Sequence, residues 1–353
     1  MPFTGPETLE RRRGAPFAAR LGANENGFGP SPRAVAAMAQ AAGEQWKYGD
    51  PDSHDLRQAL AAHHRIDPGH IMLGEGVDGL LGLLVRLTMA PGEAVVTSDG
   101  AYPTFNFHVA GFGGQLVKVP YRDNAEDPQA LVQAAARHRA RLVYLANPDN
   151  PMGSWHPGST LTAMLDRLPE GCLLVLDEAY AEFAPEAAIP QIDPADPRVI
   201  RFRTFSKAYG LAGARIGYAI GPQPLIAGFD RIRNHFGINR LAQIGALAAL
   251  ADTEWLQRTR ANVAAARDRI AGIAQDNGLI ALPSATNFTA IDCGADGAFA
   301  RRTLAALADL GIFARMPGVA PLDRCIRVSC APEPELAAFA AALPQALAIA
   351  RRA

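Results

Sequence analysis

The sequence predicts an α/β fold, with a mostly parallel seven-stranded sheet in a large domain and a smaller α+β C-terminal domain. Three observations point to it. Seven apolar runs stand out, most of them short, β-branched and bounded by Gly, Pro or Asp. Helical patterns lie between several of them, the alternation of βαβ units. Near Leu241 the pattern changes to a long Ala- and Arg-rich segment, followed by shorter elements.

The expected strands are Ile71–Leu73, Ala94–Thr97, Gln115–Val119, Arg141–Leu145, Leu173–Leu176, Val199–Phe202 and Ile216–Ile220. Most read as continuous apolar runs. That is the signature of strands covered on both faces, as parallel strands are. Helices are expected at Leu80–Thr88, Gln129–Arg139 and Thr160–Leu168, and one long helical segment from Leu241 to about Ala274. Pro30-Ser-Pro32 marks an early boundary. The expected organisation is an N-terminal arm over 1–32, packed near the site and the small domain, a large domain over 33–245 and a small domain over 246–353.

The 353 residues are 49% hydrophobic and 20% charged, with a formal net charge of -1. Such a chain can bury a sizeable core. A balance so near zero gives no general pull toward nucleic acid or an anionic membrane, and neither is expected as a partner. The four cysteines form no C-x-x-C pair and have no histidine cluster at zinc spacing, so free thiols in a reducing compartment are expected, and no metal. Met1 to Arg13 lacks an apolar leader core, and no apolar run reaches spanning length. These features point to the cytoplasm.

Gly74-Glu-Gly-Val-Asp-Gly79 matches G-x-G-x-x-G between an expected strand and helix, and Asp99 follows about 20 residues on. Alone, this would suggest a dinucleotide. The same backbone serves any phosphate, because unpaired N–H groups at a helix N-terminus attract anions. Asp99 sits in Ser98-Asp-Gly100 and reads as a turn residue.

Four further segments fall at strand ends, where open α/β sheets place their sites. They are Pro103-Thr-Phe105, Asn147-Pro-Asp-Asn-Pro-Met-Gly153, Asp177-Glu-Ala-Tyr180, and Thr204-Phe-Ser-Lys-Ala-Tyr-Gly210 with Gly213-Ala-Arg215. Each alone is ordinary turn or cap chemistry. In this order, and joined by Asn24-Glu-Asn26, Gly29-Pro-Ser-Pro32, Tyr48 with Asp50-Pro51, Asn287-Phe288 and Arg327, they make nearly the whole chain resemble a fold-type I pyridoxal phosphate (PLP) aminotransferase of class I/II, most of all the histidinol-phosphate aminotransferase group.

The resemblance implies a role for each residue. Lys207 would hold PLP as an imine and, once released, carry a proton at the substrate α-carbon. Asp177 would keep the ring nitrogen protonated, the condition for an electron sink. Tyr180 and Asn150 would donate to the ring oxygen, and Phe105 would stack on the ring. Arg215, Ser206 and the backbone at Glu75, Gly76 and Val77 would cup the phosphate. Tyr48 would reach that phosphate from a partner subunit, which implies a homodimer with a shared site. Arg327 and Arg315 would bind the substrate's anionic group, and Asn24 to Phe28 would form a lid.

The implied reaction moves an amino group between a donor, histidinol phosphate or an aromatic-type amino acid, and a 2-oxo acid such as 2-oxoglutarate. A PLP decarboxylase of the threonine-phosphate type shares most of these residues. A non-catalytic regulator and an NAD dehydrogenase fit fewer of them. Gly27-Phe28, Val77, Gly79, Met152 and Gly49 depart from the group's pattern, and none of them touches Asp177, Tyr180, Lys207 or Arg215.

Overall fold

All seven apolar runs enter one sheet. The computed structural model describes residues 4–352; the first three residues of the expected arm and the last residue of the expected small domain lie outside the described residues. The strands in chain order are β1 (Ala19–Arg20), β2 (Ile71–Gly74), β3 (Ala94–Ser98), β4 (Gln115–Val119), β5 (Leu142–Ala146), β6 (Leu173–Asp177), β7 (Val199–Thr204), β8 (Gly217–Ile220), β9 (Ile280–Ala281), β10 (Phe288–Asp292), β11 (Ile312–Phe313) and β12 (Cys325–Ser329). The helices are α1 (Pro6–Arg13), α2 (Pro32–Ala41), α3 (His54–His64), α4 (Gly76–Thr88), α5 (Pro103–Gly111), α6 (Pro128–His138), α7 (Gly158–Leu165), α8 (Gln223–Phe229), α9 (Arg240–Ala251), α10 (Thr253–Asp276), α11 (Gly297–Asp309) and α12 (Glu333–Arg352).

The large sheet has the order β2-β8-β7-β6-β5-β3-β4. Only β8 runs against its neighbours, pairing antiparallel with both β2 and β7. The strand order reverses between β3 and β5, so loops at the carboxyl ends diverge there and leave a crevice. Alternate residues of one strand face opposite layers. Leu142 and Tyr144 join the core under α4, α5 and α8, while Val143 and Leu145 join the core under α6 and α7.

A second sheet, β12-β10-β9, is antiparallel and packs with α10, α11 and α12. Strand β1 pairs parallel with β11, Ala19 against Ile312, which ties the N-terminal segment to this C-terminal layer. Phe339 of α12 is fully buried in that layer. Phe339→Ala is expected to cost about 3–5 kcal/mol of stability, read from urea denaturation.

Local chemistry sets the helix starts. Asp127 accepts hydrogen bonds from the Gln129 and Ala130 N–H groups, and Pro128 takes the first helical position, so α6 begins one residue before the expected Gln129. The long segment expected from Leu241 to about Ala274 is instead two helices. Asp252 leaves helical geometry (φ -91°, ψ 69°), accepts from the Trp255 N–H and starts α10. It also takes the Ser31 hydroxyl. No helix among the described residues is long and apolar enough to cross a membrane.

Candidate active site

The crevice holds a cavity of about 670 Å³. Its wall is drawn from the ends of β5, β6 and β7, the start of α4, the N-terminal segment and β12.

Strand β6 ends at Asp177, which is buried beneath the cavity. Its Oδ2 accepts from the Tyr144 hydroxyl at 2.7 Å and its Oδ1 from the Ala179 N–H at 2.9 Å. Loss of water pushes its carboxyl up to about 6, and those two donors oppose the rise. A cation placed against Asp177 would pull it back down. The next residue, Glu178, is committed elsewhere: it pairs with Arg201 (2.8 Å) and Arg203 (2.9 Å).

Beyond β7 the chain turns and presents Lys207. Its amine donates to the Asn24 carbonyl at 3.1 Å and lies 5.8 Å from the centre of the Tyr180 ring. Gly210 (φ +69°) makes the turn possible, because a Cβ there would lie 2.6 Å from the Gly29 carbonyl. Stripping water from the amine, helped by the positive charges of Arg327 and Arg215, lowers Lys207 to about 8.

Asn150, Tyr180 and Arg327 converge on the opposite wall. The Tyr180 hydroxyl accepts from the Asn24 amide at 3.0 Å and the Asn150 amide at 3.4 Å. Arg327 Nη1 donates to Asn150 Oδ1, and its Nη2 to the Gly22 carbonyl at 3.3 Å. Its Nε is buried and without a partner. Arg315 bonds backbone to backbone with Arg327, donates to the Thr4 carbonyl at 3.1 Å and also lines the cavity.

The remaining end is a cup of donors. Helix α4 opens at Gly76 and puts Val77 and Asp78 on the wall beside Ser206 and Arg215. Arg215 Nη1 donates to the Ala212 carbonyl at 2.9 Å and lies 3.5 Å from Ser206 Oγ. Arg215 itself holds a left-handed backbone (φ 57°), a strain typical of functional positions. Gly76 is also left-handed (φ +76°), and a Cβ on it would sit 2.5 Å from Arg215 Nη2. Gly76→Ala is expected to cost about 1–2 kcal/mol in backbone strain alone and to displace Arg215; thermal denaturation and a structure of the variant check both.

Several expected positions lie elsewhere. Phe105 does not reach the cavity. Helix α5 starts at Pro103, which turns Phe105 into the core, where it stacks on Tyr144 (4.8 Å, 17°). Tyr102, still extended before the helix, lines the cavity instead. Phe28 packs against the C-terminal core rather than the cavity, whose N-terminal wall is Ala23, Asn24 and Glu25. The Glu75 side chain turns away, accepting from the Asn234 amide at 3.4 Å, which leaves the expected backbone role of Glu75 and Gly76 at the start of α4 untouched. Tyr48 is exposed and packs on Phe236 (4.7 Å), away from this chain's own cavity. Asp99 pairs with Lys118 at 3.0 Å and does not line the cavity, so no ribose-binding acid accompanies the glycine pattern.

Tyr144, Tyr102 and Asp78 also line the cavity, and the sequence assigned none of them a role there. The one available signal was Tyr144, a lone hydroxyl in the apolar run of β5.

Comparison with known proteins agrees with this geometry. Residues 19–343 match the model of the family "Aminotransferase class I and II". The chain is 57% identical to the histidinol-phosphate aminotransferase of Sinorhizobium meliloti, solved in complex with pyridoxal-5'-phosphate, with a TM-score of 0.96 over 98% of this chain and 95% of that one. It is 37% identical to histidinol-phosphate aminotransferase 1 of Mesorhizobium japonicum, across 98% of this chain and 94% of that protein. Aspartate aminotransferase from Thermus thermophilus, 23% identical with a TM-score of 0.83 over 97% of this chain and 94% of that one, shares the fold. The chain belongs to the class I and II aminotransferases.

Proposed function

We propose that the chain is a PLP-dependent aminotransferase that takes histidinol phosphate as amino donor and a 2-oxo acid as acceptor. The observation that carries this reading is the pairing, across one cavity, of a lysine lowered to about 8 with a buried carboxylate and a donor cup. PLP fits that layout. A phosphate suits Ser206, Arg215 and the N–H groups opening α4, where Gly76 leaves room. A cationic ring nitrogen suits Asp177, and a ring oxygen suits Tyr180 and Asn150.

When bound, PLP supplies an electron sink for the pair released at the substrate α-carbon. The chain supplies the rest. Lys207 holds the cofactor and moves the proton at that carbon. Asp177 keeps the ring nitrogen charged. Arg327, with an Nε awaiting a partner, and Arg315 bind the substrate's phosphate or carboxylate. The two relatives named for histidinol phosphate support the donor. The test is a donor panel with 2-oxoglutarate: histidinol phosphate should give the highest kcat/KM, and an aromatic amino acid ahead of it would overturn the donor assignment. Carbon dioxide release without 2-oxo acid formation would mark a decarboxylase.

Lysine capture of PLP needs a neutral amine. With Lys207 at about 8, protonation blocks capture below that pH. The rate of PLP uptake by apoprotein is expected to rise about tenfold per pH unit up to about 8 and then level. Stopped-flow absorbance reads this; a rise continuing to pH 10 would indicate an ordinary lysine.

Trp46, Tyr48 and Phe236 together expose aromatic surface. That supports a homodimer in which Tyr48 serves the partner's phosphate cup. The four buried free thiols fit a reducing, cytoplasmic setting.

A further inference from the structure

We propose that Tyr144 is a positioning residue for the carboxylate that serves the cofactor ring nitrogen, holding Asp177 in the orientation a protonated ring nitrogen needs. The inference rests on the role given to Asp177 above. Tyr144 is the only residue of β5 with a side-chain polar group, and its side chain is completely buried. It is in register with Val175, so Asp177, two residues on, lies along the same face.

The phenol ring cannot wander. Phe105, itself fully buried, stacks on it at 4.8 Å and 17°. The hydroxyl is thereby fixed 2.7 Å from Asp177 Oδ2, while the Ala179 N–H holds Oδ1. Two donors on two oxygens leave the carboxylate one orientation. A buried hydroxyl costs free energy unless it is bonded, and the Tyr144 proton is given to Asp177. Burial and the carboxylate both hold that proton on the phenol, so Tyr144 remains a donor. Packing alone would be satisfied by phenylalanine, the residue already stacked against it.

Tyr144→Phe keeps the ring and the stack and deletes only the donor. Equilibrium dialysis of the apoprotein would compare PLP with its 1-deaza analogue, in which a C–H replaces the ring nitrogen. PLP affinity is expected to fall about tenfold, as for loss of a hydrogen bond to a charged group, with the analogue's affinity unchanged. In an Asp177→Asn background the same substitution should change neither affinity, because the pair acts as one unit. Equal losses for both ligands, or an unchanged PLP affinity, would overturn the proposal and leave Tyr144 as packing. Wild-type protein that binds neither ligand would overturn the underlying reading and the proposal with it.

Discussion

Lys207→Ala is expected to lower kcat for amino transfer by about 10⁴-fold or more, since a positioned acid–base group contributes up to that factor and the covalent attachment is lost as well. PLP should still bind, because Asp177, Ser206, Arg215 and the opening of α4 are untouched. Single-turnover absorbance with the best donor measures the loss, and dialysis measures the retained cofactor. Lys207→Arg should not restore turnover. A guanidinium keeps its proton at any working pH and cannot accept one from carbon. A variant that still turns over near the wild-type rate would remove Lys207 from the chemistry.

Asp177→Asn should have the second-largest effect. The amide preserves the volume and the contact with Tyr144 but removes the negative charge beneath the ring. Breaking a buried charge pair by removing one member costs about 3–5 kcal/mol, which at 1.36 kcal/mol per decade is a fall in kcat of about 10²- to 5 × 10³-fold. KM for the donor should change far less, because Arg327 and Arg315 stand on other elements. A fall confined to KM would contradict the assignment. The carboxyl sits at about 6 without a cation against it, so cofactor binding should drive it toward ionisation and PLP affinity should weaken as the pH falls below 6.

The large sheet was legible because burial on both faces demands apolar runs, and all seven enter it. Lys207, Asp177, Asn150, Tyr180, Ser206 and Arg215 were legible because strand ends and their loops collect at one edge of such a sheet. What was not legible depends on helix phase and on distant chain. Phe105 and Tyr102 exchange places because α5 begins at Pro103, and a three-residue shift turns a side chain from crevice to core. The break at Asp252 combines a local cap on the Trp255 N–H with a hydrogen bond from Ser31, 221 residues away, and no local pattern shows the second. Tyr144 was hidden because one hydroxyl in an apolar strand reads as filler until its partner on β6 is known.

Asn24 has a consequence for the life of the chain. Its carbonyl receives the Lys207 amine and the Asn287 amide, and its backbone N–H rests on Ser329, 305 residues away. During synthesis this segment is made before β10 and β12, and it therefore has no seat until they follow. Contacts of such sequence separation form late. The lysine is thus ringed by its final neighbours only after β12 has been made, so a chain cut short before β12 offers the cofactor an open crevice rather than a finished site.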